Sequence, residues 1–251
     1  MAGVEGRVAL VTGAGRGIGR RAAEMLAERG AKVMCVARSE TELSEVGLEY
    51  TVADLGTPDG CASAVAATEE KLGPIEIFVC NHGIGSAHER VIWEQDPELW
   101  AETMRINLDG PFYLSRLIVG RMVEQKYGRV VFTSSTAGEI AEHAGSAYNA
   151  SKHGLLGLMR SVAVDGGPYG ITSNAVLPGW VRTEMAERSA MQEAKDRIMT
   201  VDQVWQERDA MYPPGRVATV DEVAEAIAFL ASEESSGISG EAIKIALGAV
   251  A

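Results

Sequence analysis

The run Val8-Ala9-Leu10-Val11 stops at Thr12-Gly13-Ala14-Gly15-Arg16-Gly17-Ile18-Gly19 and resumes as an Ala-rich helical pattern through Arg29. No other stretch limits the fold as much. A short apolar run that breaks at glycines and continues with helical period predicts a strand, a tight turn and a helix. Glycines reach backbone angles closed to other residues and let the main chain approach a ligand, while a helix N-terminus offers unpaired amides to phosphate. A pyrophosphate would sit well on such a turn. The dinucleotide fingerprint GxGxxG matches at no offset here, and neither does the P-loop pattern. Further strand-like stretches at 31–37, 48–53, 75–80, 129–133, 171–177 and 242–247 alternate with helical ones. That alternation predicts an α/β fold whose parallel sheet is buried under helices on both faces.

No compositional shift marks a linker, so one domain over residues 1–251 is expected. The 28 glycines and sparse aromatics suit helices packed tightly on a sheet. A formal charge of −12 opposes attraction to nucleic acid or to an anionic membrane, and neither is expected as a partner. Met1 to Gly6 lack the apolar run of a secretory leader, and no apolar stretch is long enough to span a bilayer. A cytoplasmic protein is expected. Cys35, Cys61 and Cys80 are odd in number and two lie in predicted strands, which implies neither a disulfide framework nor a metal site.

Tyr148 and Lys152 are four residues apart, so on a helix they share a face, where the cation would favour a phenolate. Alone, such a pair is also what an exposed helix surface carries by chance. Set beside it are Thr12, Gly13, Gly17 and Gly19 in the spacing TGxxxGxG, Asn107 in Asn107-Leu108-Asp109-Gly110, and Ser135, thirteen residues before Tyr148. With these motifs in this order, the chain resembles the short-chain dehydrogenase/reductase family over nearly its whole length. The resemblance implies a Rossmann fold with a doubly wound, seven-stranded parallel sheet.

It also implies a site. Asn107, Ser135, Tyr148 and Lys152 would be the catalytic residues, with Tyr148 as proton donor to a carbonyl oxygen that Ser135 orients. Lys152 would lower the phenol's pKa, aided by an oxidised nicotinamide, and would hold the nicotinamide ribose. Asn107 would interrupt regular helical bonding and hold a water that links Lys152 to solvent. The cofactor would lie along Gly13, Gly15, Arg16, Gly17, Ile18 and Gly19, with Asp54-Leu55 at the adenine and Asn81 in a variant of the family's NNAG segment. Pro178, Gly179, Val181 and Thr183 would hold the nicotinamide amide, with Tyr148 and Lys152 beside it. The second strand ends at Ala37 without the acid that binds a ribose 2′-hydroxyl, and Arg38 follows. Arg38 and Arg16 together point to a 2′-phosphate, hence NADP(H). His82 replaces an Ala of NNAG; it is read as packing beside the cofactor, against the alternative of a proton relay. Asp54 is also a candidate cap for the helix that begins near Thr57-Pro58.

Residues 184–214 form the expected substrate lid, where Met185, Met191, Met199, Trp205, Met211 and Tyr212 suit a bulky apolar ketone or pack the lid itself. Arg182 to Tyr212 hold five basic against seven acidic residues, a poor dock for an acidic acyl carrier protein. Arg129 is suitably basic, but Tyr169-Gly170 stand where related ketoacyl reductases place a second cation. A free small-molecule ketone is thus expected, reduced with NADPH. A 3-oxoacyl carrier-protein reductase, an oxidising alcohol dehydrogenase and a noncatalytic dinucleotide-binding regulator are the alternatives. The helix through Leu230 and the last strand imply a homotetramer by resemblance, although the ending Leu247-Gly248-Ala249-Val250-Ala251 lacks the family's Asp-Gly-Gly.

Overall fold

The computed structural model describes residues 3–249, so Met1, Ala2, Val250 and Ala251 of the two terminal stretches read above lie outside the described residues. The strands are β1 (Val8–Thr12), β2 (Lys32–Ala37), β3 (Glu49–Val52), β4 (Ile77–Cys80), β5 (Gly128–Thr133), β6 (Ile171–Pro178) and β7 (Ala242–Ile245). They form one seven-stranded sheet in the order β3-β2-β1-β4-β5-β6-β7, parallel throughout. From β1 the chain winds outward to β3, then crosses back to start β4 on the other side of β1. The crevice between the C-terminal ends of β1 and β4 is therefore the topological switch point, where open α/β sheets bind ligands.

The central strands β1, β4, β5 and β6 are buried along their whole length, as a parallel sheet covered on both faces requires. Side chains nevertheless alternate between two cores. Val11, Val79 and Val131 face α1 (Gly17–Glu28) and α9 (Val220–Leu230), while Leu10, Phe78 and Phe132 face α3 (Pro58–Leu72), α5 (Gly110–Gln125) and α6 (Ser146–Gly166). Phe78 and Phe132 meet edge to face across β4 and β5, 6.2 Å between ring centroids at 74°. The second helix, α2 (Glu40–Ser44), is as short as the spacing between β2 and β3 requires. All three cysteines are free and buried, and burial pushes each thiol up to about 12.

Caps fix where several helices begin. Thr57 accepts from the Gly60 amide at 3.1 Å and starts α3 with Pro58 behind it. The cap suggested for Asp54 is thus supplied by Thr57, because Asp54 is one turn too early; its carboxylate accepts from Gly56 N at 3.0 Å instead. Asp96 starts α4 (Pro97–Met104) through Glu98 N, and Thr219 with Glu222 forms a reciprocal capping box on α9. Between α4 and α5 the bonding shifts to a π turn over Arg105–Asp109, so Asn107 does interrupt regular helix. The segment expected to be a lid folds as α7 (Glu184–Arg197) and α8 (Val201–Ala210). Trp205 and Tyr212 are buried in its own small core, whereas Met185, Met191 and Met211 remain exposed. Among the described residues, no helix is long and apolar enough to cross a membrane.

Phe132→Ala removes the edge-to-face partner in the middle of the sheet. A loss of about 3–5 kcal/mol is expected, read as a lower urea midpoint with unchanged slope.

Candidate active site

Thr12, the last residue of β1, ties the two sides of the crevice together. Its hydroxyl donates to Val79 O at 3.3 Å and accepts from Asn81 N at 3.0 Å. Asn81 in turn donates its side-chain amide to Gly13 O at 3.3 Å. Gly13 and Gly17 have φ of 63° and 56°, the left-handed region that excludes most side chains. A Cβ at Gly19 would fall 2.2 Å from Gly13 O and 2.4 Å from Asn81 Nδ2, so only glycine lets α1 approach the turn this closely. Ile18 sits at the start of α1, packed on the core. The N-terminus of α1 has neither a side-chain cap nor an acid in its first turn, unlike α3, α7, α8 and α9, which each have a threonine cap. Its amides suit an anion, and the cradle fits the pyrophosphate of a nicotinamide dinucleotide.

Beside this cradle the charges are arranged differently from the expectation. Arg38, following Ala37, is exposed and makes no hydrogen bond or ion pair among the described residues. Arg16 bonds Glu42 at 2.7 Å and Glu184 at 3.0 Å, so only one of the two arginines stands free. Glu42 was not among the predicted site residues. The brevity of α2 brings it in: a Cβ at Gly15 would lie 3.0 Å from Glu42 Oε2 and 3.7 Å from Ala37 Cβ. Asp54 pairs with Arg105 at 3.5 Å, and Leu55 is buried beneath it. On the far side of the crevice Pro178 ends β6, and Gly179 lies against the Tyr212 hydroxyl, which accepts from Trp180 N at 2.6 Å. Val181 bridges to Ala218, and Thr183 caps α7 with its methyl 3.4 Å from a Cβ placed on Gly17. The two ends of the predicted cofactor path thus meet.

The side chains of Asn107, Ser135, Tyr148 and Lys152 gather at the C-terminal ends of β4 and β5. Lys152 Nζ donates to Thr133 O at 2.9 Å and lies 5.6 Å from the Tyr148 ring centroid. Asn107 accepts from Ile84 N at 2.8 Å and donates to Ile84 O at 2.9 Å and Ser151 Oγ at 3.2 Å. A Cβ at Gly83 would stand 3.1 Å from Asn107 Oδ1 and 3.7 Å from Lys152 Nζ, so the two groups converge there. Ser135 accepts from Ala137 N at 3.1 Å and interacts with the Tyr148 phenol. Ser134, at the wrong offset, instead donates to Lys152 O at 3.1 Å.

Burial pushes the Tyr148 phenol up to about 12; Ser135 opposes the shift, and the Glu142 and Glu89 carboxylates add to it. This reverses the expected lowering by Lys152. Taking a phenolate out of water costs more than the lysine offers it here, since burial itself pushes Lys152 down to about 8. A phenol held in this way keeps its proton at neutral pH. Burial, with the Lys152 cation nearby, pushes His82 down to about 3. Its ring lies 2.8 Å from Thr12 Oγ1, so His82 is a neutral group packed against the end of β1. Glu89, another residue absent from the sequence-based site, accepts from the backbone of Tyr148 itself.

The chain is similar to known reductases over nearly its whole length. A family model described as enoyl-(acyl carrier protein) reductase matches residues 13–249. A 3-oxoacyl-[acyl-carrier-protein] reductase of Vibrio cholerae is 34% identical over 249 residues, 96% of each chain. An acetoacetyl-CoA reductase of Rhizobium meliloti is 33% identical over 242 residues, 94% of this chain and 95% of that one. Among solved structures, levodione reductase superposes with a TM-score of 0.93 at 32% identity over 97% of both chains. An actinorhodin polyketide ketoreductase variant with NADPH gives 0.90 at 30% identity, over 97% of this chain and 98% of that one.

Gly19→Ala drives a methyl into the Gly13 carbonyl. A cost of about 1–3 kcal/mol is expected, seen as a lower thermal midpoint, together with weaker dinucleotide binding in a fluorescence titration.

Proposed function

The chain belongs to the short-chain dehydrogenase/reductase family, and we propose that it reduces a ketone to a secondary alcohol with NADPH, Tyr148 donating the proton. The observation that carries this reading is the convergence of Asn107, Ser135, Tyr148 and Lys152 at the end of the crevice that begins with the glycine cradle. When bound, the reduced nicotinamide supplies the hydride. Charge then develops on the carbonyl oxygen, and groups aimed at that oxygen before reaction lower the barrier. Ser135 orients it by hydrogen bonding. Tyr148 delivers its proton, which burial keeps on the phenol at neutral pH. Lys152, held by the Thr133 carbonyl, faces the cofactor ribose in this reading, and Asn107 connects it toward solvent. Gly13, Gly15, Gly17, Ile18 and Gly19 cradle the pyrophosphate, with Asn81 and Asp54-Leu55 along the nucleotide. Pro178, Gly179, Val181 and Thr183 hold the nicotinamide end.

Relatives named as ketoacyl and acetoacetyl reductases support a ketone as substrate. The reading favours a free, bulky apolar ketone. Met185 reaches across the cleft, its sulfur 3.2 Å from a Cβ placed on Gly85, and supports residues 184–214 as the lid over an apolar substrate. A 3-oxoacyl group on a carrier protein is the second reading, favoured by the Vibrio cholerae relative. Against it, the Arg129 guanidinium is buried on Ser232, Gly128 and Gly170 carbonyls and paired with Glu233, so it has little to offer an acidic carrier. The reading includes a homotetramer acting in the cytoplasm on a small molecule.

NADP(H) rests on Arg38, the free cation beside Ala37, and on an NADPH-bound relative. Arg16 contributes to a 2′-phosphate only by leaving Glu42. NADPH is therefore expected to bind more tightly than NADH. Arg38→Asp should remove that preference and Glu42→Gln should strengthen it, both read by fluorescence titration; tighter NADH binding by the unaltered protein would overturn the assignment. In a screen of bulky ketones, Tyr148→Phe is expected to lower kcat by about 10²–10⁴-fold with NADPH affinity kept. In the unaltered enzyme, reduction should decline as pH rises through about 8, where Lys152 gives up its charge while the phenol keeps its proton. Equal turnover by Tyr148→Phe would exclude the phenol as donor.

A further inference from the structure

Among the described residues Glu89 is the only carboxylate in the buried class, 4% exposed, and the reaction as derived does not use it. It lies in the loop between β4 and α4, far in sequence from α6, yet its two oxygens accept from Ala147 N and Tyr148 N, each at 2.8 Å. The helix has no local substitute. Its N-cap is Gly145, without a side chain to offer, its first turn holds no acid, and the buried Ser146 hydroxyl has no partner. By contrast α3, α7, α8 and α9 are each started by a threonine at their own N-cap. A carboxylate on two amides at the positive end of a helix forms strong charge-assisted hydrogen bonds.

The loop that presents Glu89 is itself held in place. Glu89 N donates to Ser86 O at 2.9 Å and Arg90 N to Gln95 Oε1 at 3.1 Å. Upstream, both polar backbone groups of Ile84 are clamped by Asn107. A line of bonds thus runs from Asn107 through this loop to the main chain of Tyr148. A local serine or threonine cap would start α6 as well, but it would leave the helix unconnected to the loop. Burial raises the pKa of Glu89 above its ordinary value, and the two amides of the helix it caps oppose that shift.

We propose that Glu89 is a positioning residue: seated on the amides of Ala147 and Tyr148, it fixes the first turn of α6 and so aims the Tyr148 phenol at the carbonyl oxygen. The proposal rests on the reductase reading above. Its test compares Glu89→Ala, Glu89→Gln and the unaltered protein in kcat, NADPH affinity and amide hydrogen exchange at the start of α6. Glu89→Ala is expected to lower kcat by about ten- to a hundredfold, to leave the NADPH Kd within about twofold, and to speed exchange at the start of α6 alone. Glu89→Gln keeps one acceptor and the same reach, so an intermediate kcat is expected. Unchanged kcat in Glu89→Ala overturns the proposal, as does NADPH binding that weakens in step with kcat, which would report general loss of the fold. Exchange is read without turnover. Were no ketone reduced by the unaltered protein, the reductase reading would fall by itself, while unaltered exchange in Glu89→Ala would separately overturn the seating of α6.

Discussion

The Thr12 hydroxyl holds the molecule's one essential junction. A parallel sheet whose order reverses beside β1 leaves the ends of β1 and β4 side by side with no helix between them. Polar backbone at such a place needs partners, and Thr12 serves Val79 and Asn81 while His82 and Gly13 close around it. The contact of Gly19 with Gly13 and Asn81 then sets how near α1 comes to the crevice. If that distance grew by the width of a methyl group, the helix amides and the polar cluster at the ends of β4 and β5 would no longer face one space.

Much of this was legible in the sequence because it depends on short-range chemistry. β1 and β4 are short apolar runs, and the strand-like stretches alternate with helical ones, so the order of elements along the chain could be read directly. Asn107 announced a break in helical bonding, and the π turn is there. Ser135, Tyr148 and Lys152 keep a spacing that a strand end and one helix can satisfy together. Residues 184–214 stood out by their length and their methionines, though not that they would split into α7 and α8 with Trp205 inside.

What escaped are residues whose role is set by tertiary distance. Glu42 looks like one more acid on an acidic chain; only the shortness of α2 folds it against Gly15 and onto Arg16. Glu89 is separated from Ala147 on α6 by fifty-eight positions along the chain, and nothing in its neighbourhood marks it for burial. Asp54 shows the reverse error. Its residue type and approximate place suited a cap, but Thr57 stands at the residue where the helix begins. Local propensity finds the helix, and geometry chooses which oxygen reaches the amides.

The electrostatics of the pair on α6 follow from the same distances. A lysine near a tyrosine suggests a phenol made acidic, yet both groups are buried, and burial disfavours charge on each of them. The phenol rises to about 12 and the ammonium falls to about 8, with the Glu89 and Glu142 carboxylates reinforcing the first shift. Lys152 has its Nζ on a backbone carbonyl, which fixes where its charge lies without bringing it onto the phenol oxygen. In this arrangement the proton rests on Tyr148 until a stronger demand appears nearby. Ser135 is already beside the phenol and opposes the rise. Burial thus sets the resting charge of both groups on α6: it keeps the phenol neutral and weakens the ammonium's hold on its proton, and the direction of any reaction is left to the cofactor and the substrate.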